Sequence, residues 1–553
     1  MKSPAFVPSL GHKSSRPLLL AASLILIASA VRGETWTPTA AATYDWDAAG
    51  NWGGGSFPNS VGGTANISAD FAGAQIINLN TPITIGSLTI NDTGASPDSP
   101  VEIATGTSGS LTFQVASGNA TLTNSTQAVV NVISAPVVFT SDTTVALGTA
   151  AASGTTQGLT LSGGFSGAGN ITVTGSSTGT GKNYLTLSGS NTSYTGNWTL
   201  SSTSGGSALA GGGISIDADT NLGAAPGSPT TNITVTSSSA AIQFTADFTL
   251  NANRNILVNS GGSIVLNKTG TGTATVAGVI SGAGGVSTNG GGNTRTIKLS
   301  GANTYTGATN VTTGKLQAGS TSAFGVNSAV TIGSLSSAVL DLNSLNNTIG
   351  SLAGSGGSVT LGSAILTTGG NNTSTTYSGA ISGSGGFTKI GSGTQTLSGN
   401  NTYSGATTVN AGTLALGASD RVADTSGLVL GGGTFATGGF NETLNTLTLN
   451  ASSTLDFGSG LGSSLVFSAS NGIAWNGTLT LLNFDIGTDS LKFGTSVTAL
   501  TIAQLNAISL TGFTAALDSN GFVTFSAIPE PSTCALLTGV FTLGLATLRR
   551  RRA

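Results

Sequence analysis

Three pairs of aspartates in this chain stand close enough in sequence to suggest acid–base chemistry: Asp45 with Asp47, Asp217 with Asp219, and Asp420 with Asp424. Two of the pairs are spaced i, i+2, which puts both side chains on one face of a strand. Converging carboxylates are sufficient for cleaving a polysaccharide, one acting as acid and the other as base or nucleophile. The stretch Asp217-Ala-Asp219-Thr-Asn221-Leu-Gly223 also places oxygen donors at alternate positions, like the start of a calcium loop, but Ser228 stands where a twelfth-position carboxylate belongs. Its ordinary reading is a turn whose Asp and Asn bond their own backbone. Trp36, Trp46 and Trp52 lie close together ahead of the repeats, and two readings compete: a sugar-stacking platform, or an aromatic cap closing one end of a stack of strands.

Other chemistry is excluded by composition. The only His, His12, and the only Cys, Cys534, lie near the two ends, so the body can form neither a Ser-His-Asp triad, nor a Cys-His pair, nor a His-ligated zinc site, nor a disulfide. We therefore expect no cofactor and no metal centre. Charged residues are only 7% of the 553, and residues 31–528 carry ten basic against nineteen acidic side chains. Such a surface cannot neutralise phosphates, which argues against nucleic acid as a partner.

The elements that would position these residues are short strands. Leu-Thr-Leu-Ser (Leu185–Ser188) and Thr-Val-Asn-Ala-Gly-Thr-Leu (Thr408–Leu414) alternate apolar and small polar residues at period two, and 84 glycines, with many asparagines, punctuate the segments between. Helical periodicity is confined to Thr498–Ile508. A longer repeat overlies the short one. Asn401-Thr-Tyr403-Ser-Gly405 and the flanking Gly393-Thr-Gln-Thr-Leu-Ser-Gly399 recur as Asn303-Thr-Tyr305-Thr-Gly307 after Ile297-Lys-Leu-Ser-Gly301, and more weakly as Asn191-Thr-Ser-Tyr194-Thr-Gly196. Uniform composition with recurring strands predicts an all-β, right-handed parallel β-helix: a rod of roughly 20 residues per coil and on the order of 100 Å long, with Asn, Ser and Thr side chains stacked between coils.

The two ends read differently. Lys2, Lys13 and Arg16 precede the apolar run Leu18–Ile27 and then Ala28-Ser29-Ala30, the order of a signal peptide over 1–30. At the far end Pro529-Glu530-Pro531 is followed by an apolar stretch, Cys534–Leu548, which predicts a short transmembrane helix, and by Arg549, Arg550, Arg551 and Arg552 as a membrane stop. This tripartite end resembles the PEP-CTERM sorting signal of bacterial exported proteins, which implies an exosortase-type enzyme as partner; a plain membrane tail would explain the helix and arginines but not the Pro-Glu-Pro. The repeats resemble autotransporter-associated β-strand repeats, and Trp36–Ile90 is similar to the usual start of such proteins. No outer-membrane barrel sequence follows, so self-transport is not implied.

The expected organisation is a signal peptide (1–30), an N-terminal β cap and first coils (31–164), a repeat solenoid (165–457), a C-terminal β region and linker (458–528) and a sorting signal (529–553). The expected function is that of an exported, non-enzymatic structural or adhesive protein of the cell surface or extracellular matrix, with extracellular polysaccharide as a partner. The alternative is a polysaccharide lyase or hydrolase on the same scaffold.

Overall fold

The computed structural model describes residues 33–528, except 95–97, 126–128, 151–155, 178–181, 205–211, 290, 293 and 461. The signal peptide, the sorting motif, the apolar stretch and the arginine tail lie outside the described residues. Among those described, no helix is long and apolar enough to cross a membrane.

Alternation at period two becomes a parallel β-solenoid. A first sheet links ten strands from Gly33–Thr35 to Ile280–Ser281, and a long one links twenty from Thr43–Asp45 to Ile508–Ser509, held at its narrowest point by the single pairing of Gly354 with Tyr377. Shorter parallel sheets of four, seven, six and three strands complete the other faces. Inward-facing residues stack in register: Leu159, Leu185, Ile214, Ile242 and Leu266 form one column. The rings of Phe113 and Phe139 pair at 5.7 Å and those of Phe467 and Phe493 at 5.1 Å, close to the strand spacing. One apolar core thus runs from Trp36 to Val523.

The only antiparallel sheet among the described residues is the hairpin Phe513–Leu517 with Val523–Ala527, at the C-terminal end. The expected helix is shorter than its pattern, Ile502–Ala507, because Thr501 caps it by accepting the Gln504 N–H.

The Asn-Thr-Tyr motif explains how coils are joined. Asn303 accepts the Ile280 N–H at 2.7 Å and donates to the Ala323 carbonyl at 2.7 Å; Asn401 accepts from Ile381 at 2.9 Å and donates to Arg421 at 2.7 Å. Each buried amide therefore ties the coil before it to the coil after it. The expected ladders differ in kind: most of these amides bridge backbone groups, although Asn131 does donate to the Asn124 side chain. Two residues on, the Tyr305 hydroxyl shares a hydrogen bond with Thr309 and Thr309 with Ser328, and Tyr403, Thr407 and Ser426 repeat that circuit. Tyr377 has Ile381 where the threonine would be, and its buried hydroxyl has no hydrogen-bond partner among the described residues. Gly405 is required by close approach, since a Cβ there would lie 2.4 Å from the Gly385 carbonyl oxygen.

Glu442 takes the place in the coil after Asn401 that Asn347 takes after Asn303. It is 1% exposed, and its Oε2 accepts the N–H groups of Arg421 at 2.8 Å and Val422 at 3.3 Å. An amide would also donate to a carbonyl, as Asn347 does to Ser320 and Leu345; Oε1 of Glu442 has no hydrogen-bond partner among the described residues. Burial pushes its pKa from the ordinary 4.5 up to about 7, opposed by the two N–H donors and reinforced by Asp420 and Asp424.

Two outcomes are expected. Replacing Asn401 with Ala strands a buried N–H and a buried C=O, which should cost about 2–4 kcal/mol, read as faster amide exchange around Ile381 while Thr402→Ala changes little. Because the folded state binds the Glu442 proton more tightly than the unfolded state does, this group's contribution is full below about pH 4.5, falls as pH rises to about 7 and is flat above, a total of roughly 3 kcal/mol. Melting curves from pH 4 to 8 should show Glu442→Gln abolishing that part of the slope; parallel profiles for the two proteins would contradict it.

Candidate functional site

The aspartate pairs do not assemble a reactive centre. Asp217 is exposed, while the Asp219 carboxylate accepts from Arg254 Nε at 2.8 Å and from the Asn251 N–H at 2.9 Å. Arg254, 0% exposed, also donates to the Asn232 side chain and to the carbonyls of Gly223 and Asp219. An arginine this buried persists only when its donors are satisfied, and here they clamp a turn. The Asn221 side-chain oxygen, which a calcium loop would aim at the ion, accepts the Asp217 and Ala218 N–H groups. As in the ordinary reading, the stretch is a turn whose Asn bonds its own backbone, here reaching back to the start of the short 3-10 helix Asp219–Leu222. Among the described residues no three acidic side chains converge as metal ligands would.

Asp45 and Asp47 are likewise separate. Asp47 accepts from the Asn80 amide at 3.3 Å, and the Asp45 backbone carbonyl receives the Asn51 amide. Asp420 and Asp424 are both exposed, and sequence spacing did not reveal that Glu442 lies near enough to feel both. In this acidic trio the group of raised pKa is sealed in the core and spends one oxygen on backbone donors. Other buried acids behave the same way: Asp92 accepts from the backbone of Phe71, Gly94 and Ser99, and Asp489 from Ser463 and Asp485. Lys389, whose pKa burial lowers, gives its amine to the carbonyls of Ile390, Gly391 and Ala411.

The tryptophan cluster resolves in favour of packing. Trp36, Trp46 and Trp52 are at most 2% exposed, contact one another edge-to-face at 4.9–5.0 Å through Trp52, and donate their N–H groups to Gln75, the Pro58 carbonyl and the Trp46 carbonyl. A platform for sugars needs an accessible ring face, and these three have none. They fill the N-terminal end of the apolar core.

What the described residues do present is a regular outer surface. On the first sheet Thr64, Ser87, Thr121, Thr144, Thr172, Thr199 and Thr234 pair in one outward column over successive coils, which Leu257 and Ser281 continue. Asn66, Thr89, Thr123, Ala146, Thr174 and Ser201 form a second column beside it. Neither column contains a charge. The adjoining long sheet, built from the same coils, shows Ile76, Glu102, Val132, Thr160, Thr186, Ser215 and Gln243 in its outward column. Threonine's preference for strands applies to both faces, so it does not account for the uniformity of one.

Comparison with known proteins points the same way as the repeats. A family model described as a passenger-associated-transport-repeat matches residues 293–318 and 387–416, which span the two strong copies of the Asn-Thr-Tyr motif. A curated relative, "Adhesin BmaC autotransporter" of Brucella suis biovar 1 (strain 1330), is 32% identical over 178 residues, 31% of this chain and 5% of that protein. The chain thus spans about a twentieth of the relative's length. No solved structure matches. By sequence the chain is thus similar to passenger-associated-transport repeats over two short segments and, over 178 residues, to part of an autotransporter adhesin.

Proposed function

We propose that this protein is an exported rod of the cell surface or extracellular matrix, a right-handed solenoid whose work is reach and adhesion rather than catalysis. The observation that carries the reading is the pair of uncharged outward columns on the first sheet, built mostly of hydroxyl and amide side chains. Single hydrogen bonds to a hydroxyl in water contribute about 1 kcal/mol or less, but a rigid row of them about 4.8 Å apart adds without a further ordering cost, since β-branched side chains are already stiff. Neutral polysaccharide is the partner such a surface suits. The likeness to an adhesin supports the same class of function, and the separation of the candidate aspartate pairs favours it over the lyase or hydrolase alternative.

Export rests on residues 1–30. Sorting rests on Pro529, Glu530 and Pro531 as the motif recognised by an exosortase-type enzyme, with Arg549, Arg550, Arg551 and Arg552 halting the apolar stretch at the membrane before processing. The resulting location is the cell envelope or the extracellular matrix.

Two results are expected. Mass spectrometry of protein recovered from the cell surface should find an N-terminus at Val31 and loss of everything beyond the Pro-Glu-Pro region; an intact arginine tail on the recovered protein would refute sorting. Purified protein should sediment with insoluble neutral polysaccharide almost independently of salt, because no charges are paired. The double variant Thr172→Lys/Thr199→Lys should bind at least about tenfold less, and Thr514→Lys, on the terminal hairpin, should bind normally; equal binding by all three would remove the first sheet from the account.

A further inference from the structure

A different surface feature lies near the C-terminal end of the described residues. Four of the five tryptophans, Trp36, Trp46, Trp52 and Trp198, are at most 2% exposed. Trp475 is the exception: it is only partly buried, and it forms one wall of a cavity of about 340 Å³ bounded also by Asn471, Ile473, Ala474, Thr501 and Gln504. The cavity has a physical cause. Trp475 bridges to Leu449 and so continues the inward column of Leu430 and Leu449 by one member. The next coil would cover it with a strand about 4.8 Å away, but there the chain forms the helix Ile502–Ala507 instead, and a helix is about 10 Å across with its side chains. The difference leaves a hollow over the indole.

The hollow is preorganised. Trp475 Nε1 donates to the Leu447 carbonyl at 3.0 Å, and its ring meets Phe493 edge-on at 5.9 Å, so the indole that lines the cavity is fixed. Gln504 is held by the carbonyls of Ser470 and Ile473, both at 2.8 Å, and by Thr501. The exposed Asn471 amide makes no hydrogen bond among the described residues, which leaves its two donors and its acceptor available at the rim. No lining residue is charged.

We infer that this cavity is a binding site for one ring of a neutral saccharide. A pyranose has an apolar face of C–H groups, suited to a fixed indole, and a rim of hydroxyls, suited to a free amide and a threonine hydroxyl. A volume near the lower end of the range for ligand pockets fits a single ring, and an uncharged lining excludes phosphorylated or uronic sugars as the preferred ligand. The inference shares its ligand class with the proposed adhesive function but rests on a separate place in the fold, so the two can fail independently.

The test is a titration of the full-length protein with a panel of neutral oligosaccharides built from glucose, xylose, mannose and N-acetylglucosamine, followed by tryptophan fluorescence. Saturable binding by at least one member is expected, with the emission change lost in Trp475→Phe and affinity lowered at least about tenfold by Trp475→Ala. Trp475 also packs on the core, so Ala474→Arg, at an exposed wall position, supplies a block that leaves the core intact, and Asn471→Ala should weaken binding several-fold. Thr172→Lys/Thr199→Lys should leave this titration unchanged while reducing sedimentation with insoluble polysaccharide. No response to any sugar, a response unaltered by Ala474→Arg, or saturation instead by an aromatic peptide side chain would overturn the assignment.

Discussion

The parallel hydrogen-bond ladder between coils is the constraint to which the rest of the structure conforms. It fixes each coil about 4.8 Å from the next, so every inward position meets its counterpart one coil away and every corner must turn within the same narrow space. Apolar residues then stack by type, as Phe113 does on Phe139, and corner residues must be small enough to let backbones nearly touch, as at Gly405. Polar groups freed at the corners need partners, and Asn303 and Asn401 supply them by bonding the coil before and the coil after. The recurring Asn-x-Tyr-x-Gly spacing is the sequence record of that one requirement.

Much of this is legible in sequence because the constraint repeats. Period-two alternation, glycine punctuation and the triple recurrence of the motif carry the parallel solenoid, and Thr498–Ile508 carries the helix to within a few residues. The exceptions are invisible for the same reason: they occur once. Nothing in the spacing of Glu442 tells that it stands in a corner otherwise held by asparagine, because the coil before Asn347 and the coil before Glu442 differ in length. Trp475 gives no signal as a lone aromatic; its exposure follows from a helix replacing a strand one coil later. The three early tryptophans do announce a cluster, but whether their rings face sugar or core is a matter of packing that residue spacing does not encode.

Function in such a molecule lies on its surfaces. Of the carboxylates that invite a catalytic reading, Asp219 is spent on Arg254 and the Asn251 N–H and Asp47 on the Asn80 amide, while the buried Glu442 and Asp489 accept backbone N–H groups. What remains available is repetition: an uncharged face on which hydroxyls recur coil after coil, and, where repetition stops, a hollow over an indole. Both suit neutral, hydroxyl-rich partners, and both arise from the same stacking that builds the core.

Small-angle scattering from the purified protein tests the stacking itself. Twenty strands in one continuous sheet, each about 4.8 Å from the next, require a particle on the order of 90 Å long with a cross-section only a coil wide. A distance distribution with a short-range peak and a long, nearly linear tail is what the account predicts. A symmetric, single-peaked distribution typical of a compact globule of this mass would contradict it.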